Sequence, residues 1–312
     1  SINVFNALKK YLDERDLHYR LDIIAGDIRD KSCLEKIFKD SIKEHKPISN
    51  VIHFAGLKSV SESIKYPLKY WDVNVSGTRN LLEVMNEYKC YSIVFSSSAT
   101  IYGLANSVPI NEDEKVSPIN PYGNSKFVIE KMLNDLFKSN LNSWRICSLR
   151  YFNPAGAHPS GVIGEDPRGV PKNLFPFLTQ VAIGRRSFLH VYGDDWDTID
   201  GSGVRDYIHV LDLAEGHIAA LEFMRLKRSC FEVINLGSGI GYSVFQMIEE
   251  FENSIGCKIN YKVVGRREGD IDKSFADISK ATKLLGWIPK RSLKQICIDG
   301  WNWQRNNPTG YS

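Results

Sequence analysis

Short, wholly apolar or β-branched runs alternate with helical stretches through the first half of the chain, and this alternation limits the fold more than any other feature. Leu21–Ile24 is one such run and ends at Gly26-Asp27. Asn50–Ala55 breaks at Gly56, Ser92–Phe95 leads into a row of serines, and Ile146–Tyr151 completes the series. Between these runs, Ser32–Lys43 places Leu34, Ile37, Phe38 and Ile42 at helical spacing, with Ser32 in the N-cap position. Trp71–Glu87 carries Val75, Leu81, Leu82 and Met85 on one stripe, and Tyr122–Lys138 reads as another long helix. Strands that are apolar on both faces belong in a parallel sheet covered by helices on both sides. Right-handed crossovers then give an α/β fold with a doubly wound parallel sheet.

Residues 1–150 are read as this domain, and residues 151–312 as mainly a smaller substrate domain, with some segments returning to the first. The second half is less regular, with Pro/Gly-rich loops over Asn153–Pro171 and strand signals at Phe188–Tyr192 and Phe231–Leu236. A Rossmann-type unit opens with a strand and a glycine-rich turn whose following helix takes a pyrophosphate on its N-terminus. This chain starts inside helical spacing, Val4–Tyr11, so the first βα unit is expected upstream of Ser1. Gly237-Ser238-Gly239-Ile240-Gly241 also follows a strand, but no βαβ continuation comes after it, and it is read as a structural turn.

Composition removes several function classes. No run approaches the roughly 18 apolar residues of a membrane helix, and Ser1–Lys10 does not read as a signal peptide. A net charge of +3 without a basic block argues against a nucleic-acid partner. The cysteines, Cys33, Cys90, Cys147, Cys230, Cys257 and Cys297, are scattered without a Cys-x-x-Cys pair, which fits free thiols in the cytoplasm. His53, His158, His209 and His217 match no compact ligand set, so no metal is expected.

The chemistry starts at Tyr122-x-x-x-Lys126. Residues four apart share a helix face, and a neighbouring ammonium is expected to favour the phenolate of a side chain that otherwise titrates near pH 10. That makes Tyr122 a usable acid or base for a hydroxyl. Ser96-Ser97-Ser98-Ala99-Thr100 lies at the carboxyl end of a strand, where open α/β sheets bind ligands. A serine there either shares the proton work or satisfies its own turn.

Together these segments resemble the extended short-chain dehydrogenase/reductases, and within them the UDP-glucose 4-epimerases. The resemblance runs from Gly26-Asp27-Ile28-Arg29 through His53-Phe54-Ala55-Gly56-Leu57-Lys58 and Asn74-Val75-x-Gly77-Thr78. It continues in Arg150-Tyr151-Phe152-Asn153-Pro154, in Asp200-Gly201-x-Gly203-Val204-Arg205-Asp206 and in Arg266-Arg267-Glu268-Gly269-Asp270, and ends at Trp301-x-Trp303.

The resemblance implies that Ser98 and Tyr122 act at C4 of a sugar while Lys126 tunes Tyr122 and contacts NAD. It places Asp27 and Ile28 by the adenine, and Phe54, Ala55, Gly56, Lys58, Asn74, Ser96 and Phe152 along the cofactor. It gives the UDP-sugar to Lys58, Ser98, Asn153, Asn173, Tyr192, Arg205, Arg267, Asp270 and Ser274. Two permanently charged guanidiniums suit a diphosphate on their own chemistry. The implied activity is NAD-dependent interconversion of UDP-glucose and UDP-galactose through a 4-keto sugar, by a cytoplasmic homodimer.

A chain starting at Ser1 is expected to hold NAD weakly, since the glycine-rich turn would lie upstream. Ser274, seven residues after Arg267, stands where a large tyrosine narrows the pocket in some relatives, which implies room for UDP-GlcNAc and UDP-GalNAc. The rivals are a pentose 4-epimerase, a 4,6-dehydratase and a non-catalytic nucleotide-sugar binder. Ala99-Thr100 after Ser98 supplies no carboxylate for dehydration.

Overall fold

Alternate residues of one strand feed two different cores, the arrangement that a buried parallel strand requires. The computed structural model describes residues 2–17, 21–267 and 269–311, the side chains of Ile2 and Asn3 excepted. Along the chain its elements are α1 (Ile2–Asp13), α2 (Lys31–Lys43), β1 (Val51–His53), α3 (Val60–Lys65), α4 (Pro67–Tyr70), a π-helical turn (Trp71–Ser76), α5 (Gly77–Glu87) and β2 (Ser92–Ser98). A 3-10 turn (Ala99–Tyr102) leads to α6 (Pro121–Ser139), β3 (Arg145–Tyr151), β4 (Asn153–Ala155), α7 (Leu174–Ala182), β5 (Leu189–Tyr192) and β6 (Val204–His209). Then come α8 (Val210–Arg225), β7 (Cys230–Leu236), β8 (Gly241–Ser243), α9 (Val244–Ile255), β9 (Tyr261–Val264), β10 (Lys273–Ser274), α10 (Ser279–Leu285) and α11 (Leu293–Asn306).

The main sheet has the order β1-β2-β3-β7 and is parallel throughout. Ile93, Phe95 and Ile146 pack with Leu82, Val84, Met85, Ile129 and Leu133 on one face. Val94, Cys147 and Leu149 pack with Ala220, Met224 and Ala281 on the other. β7 returns to this sheet from the second half of the chain, beside β3. A separate core holds Phe175, Leu178, Val191, Tyr207, Met247, Phe251 and Ile296 beneath the smaller sheets. These sheets are β10-β6-β4, with β8 antiparallel to β6, and the parallel pair β5-β9.

Several sequence expectations change here. Leu21–Ile24 is not a strand: it pairs with nothing among the described residues, and Ile23 and Ile24 are exposed. A strand needs a neighbour for its N–H and C=O groups, and apolarity alone supplies none. The cap of α2 is Asp30 rather than Ser32, with its carboxylate accepting from Cys33 N while Ser32 donates to it. The single helix expected over Trp71–Glu87 is interrupted at its start by the π turn, and such insertions recur at functional sites. The Gly237–Gly241 turn closes on Asp206, whose carboxylate accepts from Ser238 N, Gly239 N and the Ser238 hydroxyl. Its anion is internal, so it is a structural turn.

Candidate active site

The carboxyl end of β2 and the first turns of α6 bring the expected chemistry together. Asn120 caps α6 through its side chain on Gly123 N, and Pro121 occupies the first turn. The next turn carries Tyr122 and Lys126 into the interior, where Lys126 is only 4% exposed. Lys126 Nζ donates to the Ser96 carbonyl at 2.7 Å and lies 4.9 Å from the Phe95 ring centre. One of its three donors is thus spent on a carbonyl, and no carboxylate pairs with it among the described residues. Burial pushes its pKa down to about 8, against a partial upward pull from Glu130.

Ser98 ends the strand and begins the 3-10 turn. Its hydroxyl accepts from Thr100 N at 3.2 Å and lies 2.9 Å from the Thr100 hydroxyl, with the Tyr122 phenol close enough to feel it. The Tyr122 phenol corrects one expectation. Burial raises its pKa and the Ser98 hydroxyl offsets only part of that rise. Lys126 Nζ stands 6.0 Å from the ring centre, so desolvation outweighs the cation in the protein alone.

Phe54, Ala55, Gly56 and Lys58 project from the carboxyl end of β1 and are exposed. Asn74, on the π turn, accepts from Leu57 N at 2.7 Å and donates to Leu57 O at 3.1 Å and Ser125 Oγ at 3.0 Å. Its amide is therefore fully engaged in holding this loop against α6. Lys58 reaches Glu165 at 3.3 Å. Phe152 is buried in one cluster with Ile101, Tyr102, Ile110 and Ala276. Asp27 is exposed and Ile28 half-buried ahead of α2. Arg29 grips Asp27 and holds its carboxyl down near 2, and the Ile28 side chain packs against Gly77.

A second group forms where β6 meets β10. Arg205 donates to the carbonyls of Val204 at 2.9 Å, Ile271 at 2.7 Å and Asp272 at 3.3 Å. No carboxylate pairs with it among the described residues, and burial lowers its pKa, the cost of an unneutralised cation. Ser274 is its register partner on β10. Arg267 instead makes a forked pair with Asp270, at 2.8 and 3.1 Å, and stacks 5.1 Å from the Tyr192 ring centre. Glu268, between them in the motif, lies outside the described residues. Asn173 takes the N-cap position of α7 without a side-chain cap bond and is exposed, which leaves its amide free for a ligand. Asn153 is half-buried at the start of β4.

The histidines have protein partners: His53 bonds Thr78 at 2.8 Å, His158 bonds Ser160 at 2.7 Å, and His209 bonds Asp299 at 3.1 Å. His217 Nδ1 faces the Leu213 carbonyl at 2.8 Å and must carry the proton, so Nε2 accepts from the Tyr151 phenol. Sequence reasoning gave Thr100 and Tyr151 no role of their own, although both lie in motifs it singled out. It missed Glu130, which continues the four-residue spacing from Tyr122 and Lys126.

With this geometry in place, comparison with known proteins adds four results. The family described as GDP-mannose 4,6 dehydratase matches residues 2–299. UDP-glucose 4-epimerase 2 of Arabidopsis thaliana is 51% identical over 294 residues, covering 94% of this chain and 82% of that protein. Among solved structures, the UDP-glucose 4-epimerase of Bifidobacterium longum in complex with NAD+ and UDP superposes with a TM-score of 0.86 at 45% identity, covering 92% of this chain and 84% of that one. The Stenotrophomonas maltophila UDP-glucose 4-epimerase with NAD and formylated UDP-arabinopyranose gives 0.86 at 44%, over 91% and 82%.

Proposed function

Because this chain belongs to the UDP-glucose 4-epimerase family of the extended short-chain dehydrogenase/reductases, we propose that Ser98, Tyr122 and Lys126 carry out its reaction at C4. The activity is the NAD-dependent interconversion of UDP-glucose and UDP-galactose. The observation that carries the residue assignment is the convergence of Ser98, Tyr122 and Lys126 at the end of β2, with Arg205 on β6, which has no carboxylate partner among the described residues, as an anion anchor.

The residues present fit the nicotinamide end of the cofactor. A Cβ on Gly56 would stand 3.1 Å from Asn74 Oδ1 and 3.8 Å from Lys126 Nζ, so a bare Cα keeps that approach open. Lys126 has donors to spare for a ribose. Phe54, Ala55, Gly56, Lys58, Ser96 and Phe152 would line the cofactor. NAD, when bound, takes up and returns the hydride and adds a positive charge to the site.

The protein's own part is proton traffic and anchorage. Tyr122 takes the proton from the C4 hydroxyl and later returns one, and Ser98 hydrogen-bonds the same oxygen. Arg205 and Arg267 hold the diphosphate while Tyr192, Asn153, Asn173 and Asp270 fix the rest of the nucleotide sugar. Anchored through UDP, the 4-keto sugar turns over without leaving, and its other face is reduced. In this division residues 1–150 bind the cofactor and residues 151–312 mainly the UDP-sugar, with β7 returning to the first. No helix of the described residues is long and apolar enough to cross a membrane. A cytoplasmic homodimer completes the proposal, on the strength of the family resemblance.

The direct test supplies NAD and UDP-galactose and follows UDP-glucose. Arg205→Gln should raise KM roughly 10- to 100-fold with kcat little changed, the loss of one charge-assisted contact. A kcat that falls while KM stays constant would remove Arg205 from the diphosphate. Ser274→Tyr tests the pocket: half-buried beside Arg205, the larger side chain should remove turnover of UDP-GlcNAc and spare that of UDP-galactose. Equal loss of both would show that Ser274 does not gate the sugar.

A further inference from the structure

β2 ends in three consecutive serines, and one face of α6 holds all three. Tyr122, Lys126 and Glu130 are spaced four apart and stack along that face. Lys126 donates to the Ser96 carbonyl, Glu130 Oε1 accepts from the Ser97 hydroxyl at 2.5 Å, and Tyr122 lies near enough to Ser98 for that hydroxyl to favour its anion. Arg150, on β3, closes the carboxylate with a forked pair, Nε to Oε1 at 3.1 Å and Nη2 to Oε2 at 2.7 Å. Its Nη1 donates to the Tyr102 phenol at 2.9 Å, and that phenol donates to Asn235 at 2.6 Å. The side chains of Glu130 and Arg150 are 5% and 6% exposed. A buried ion pair of this kind is weak evidence for stability, since apolar residues of similar volume often hold a core as well. What apolar residues cannot supply is a negative charge one turn below a buried ammonium.

We propose that Glu130 is a positioning residue of this site, pinning Ser97 and hence the strand end that carries Ser98, while its charge keeps the Lys126 ammonium protonated. The link to C4 chemistry rests on the epimerase reading; the charge relation does not. The groups facing Lys126 are few. Its own helix offers Tyr122 and Glu130. β1 offers His53, which burial pushes down to about 3 and so keeps neutral. β2 offers the Phe95 ring, and β3 offers Arg150 on the far side of Glu130. Burial drives Lys126 toward the neutral amine and Glu130 is the group that opposes it.

The experiment titrates Lys126 directly by NMR on protein labelled with 13C at lysine Cε, the resonance being identified by its loss in Lys126→Met. The midpoint should fall by about one pH unit in Glu130→Gln. Glu130→Asp keeps the charge but shortens the reach to Ser97, so its midpoint should stay while kcat drops. With UDP-galactose as substrate, the alkaline limb of kcat should move down with the Glu130→Gln midpoint, KM staying constant. A Glu130→Gln midpoint equal to wild type overturns the proposal. If Glu130→Gln leaves Arg150 too poorly paired to fold, Glu130→Gln with Arg150→Met is titrated instead; losing the more distant Arg150 cation as well makes the expected fall smaller, and no fall at all is again fatal. The titration needs no turnover: a falling midpoint in a protein without epimerase activity would sink the epimerase reading and uphold the charge relation.

Discussion

Tyr122→Phe yields a folded protein whose turnover of UDP-galactose falls roughly a thousandfold, the scale of losing a positioned acid and base. kcat and kcat/KM fall together, because the phenol acts on the reacting hydroxyl and holds no other part of the substrate. The fold survives because the ring remains: it sits in the wall of the site, edge-on to Tyr70 with centroids 6.5 Å apart, and only a buried hydroxyl is removed. Turnover by Tyr122→Phe within tenfold of wild type, measured by the rate of UDP-glucose formation, would mean that another group moves the proton.

Lys126→Met should do two opposite things. Turnover is lost with the ammonium that orders Tyr122 and the cofactor, yet the protein becomes more stable near neutral pH, by about 1–3 kcal/mol. The sign follows from the buried amine, whose folded-state pKa of about 8 lies below its ordinary 10.5. Between these values the unfolded chain binds more protons than the native one, so the stability of the wild type rises as pH increases from about 8 toward 10.5. Below pH 8 the full cost of the buried charge is present. Methionine removes that cost at every pH, less the bond to the Ser96 carbonyl. Urea unfolding of both proteins at pH 7 and pH 10 reads the difference: the gap should be wide at pH 7 and narrow at pH 10. A gap that does not change with pH would place the titration of Lys126 elsewhere.

The parts legible in the sequence are those where a local pattern and the tertiary environment agree. β2 and β3 find a partner strand on each side, so the reading by alternation holds for them, whereas β7, read as part of the second half, joins the same sheet beside β3. Leu21–Ile24 has the same composition and stays irregular, because pairing is a property of a neighbour and not of the run itself. Ser32 looks like a cap by type, yet Asp30, two residues earlier, has the reach to Cys33 N. The π turn at Trp71–Ser76 leaves no mark on helical spacing, although it places Asn74 against Leu57.

In the site, Tyr122 and Lys126 were readable as one helix face from their spacing, and the serine row as a strand end, while Ser98 was singled out only by the resemblance. The state of the phenol was not readable. It depends on how deeply the site is buried, and burial outweighs a cation 6.0 Å from the ring. Residue type also said nothing of the difference between the two arginines, which comes from what each one touches. Arg205 and Arg267 look alike in sequence, yet among the described residues only Arg267 pairs with an acid.

With both arginines on the diphosphate, as proposed, that difference would set how quickly a bound nucleotide departs. Arg205, pinned by three carbonyls, meets each diphosphate without giving up an anion. Arg267 must first release Asp270, and the carboxylate waits next to it. Asp270 is an intramolecular competitor at high local concentration, and it reclaims the guanidinium whenever the phosphate loosens. Such a competitor sacrifices affinity to shorten residence time.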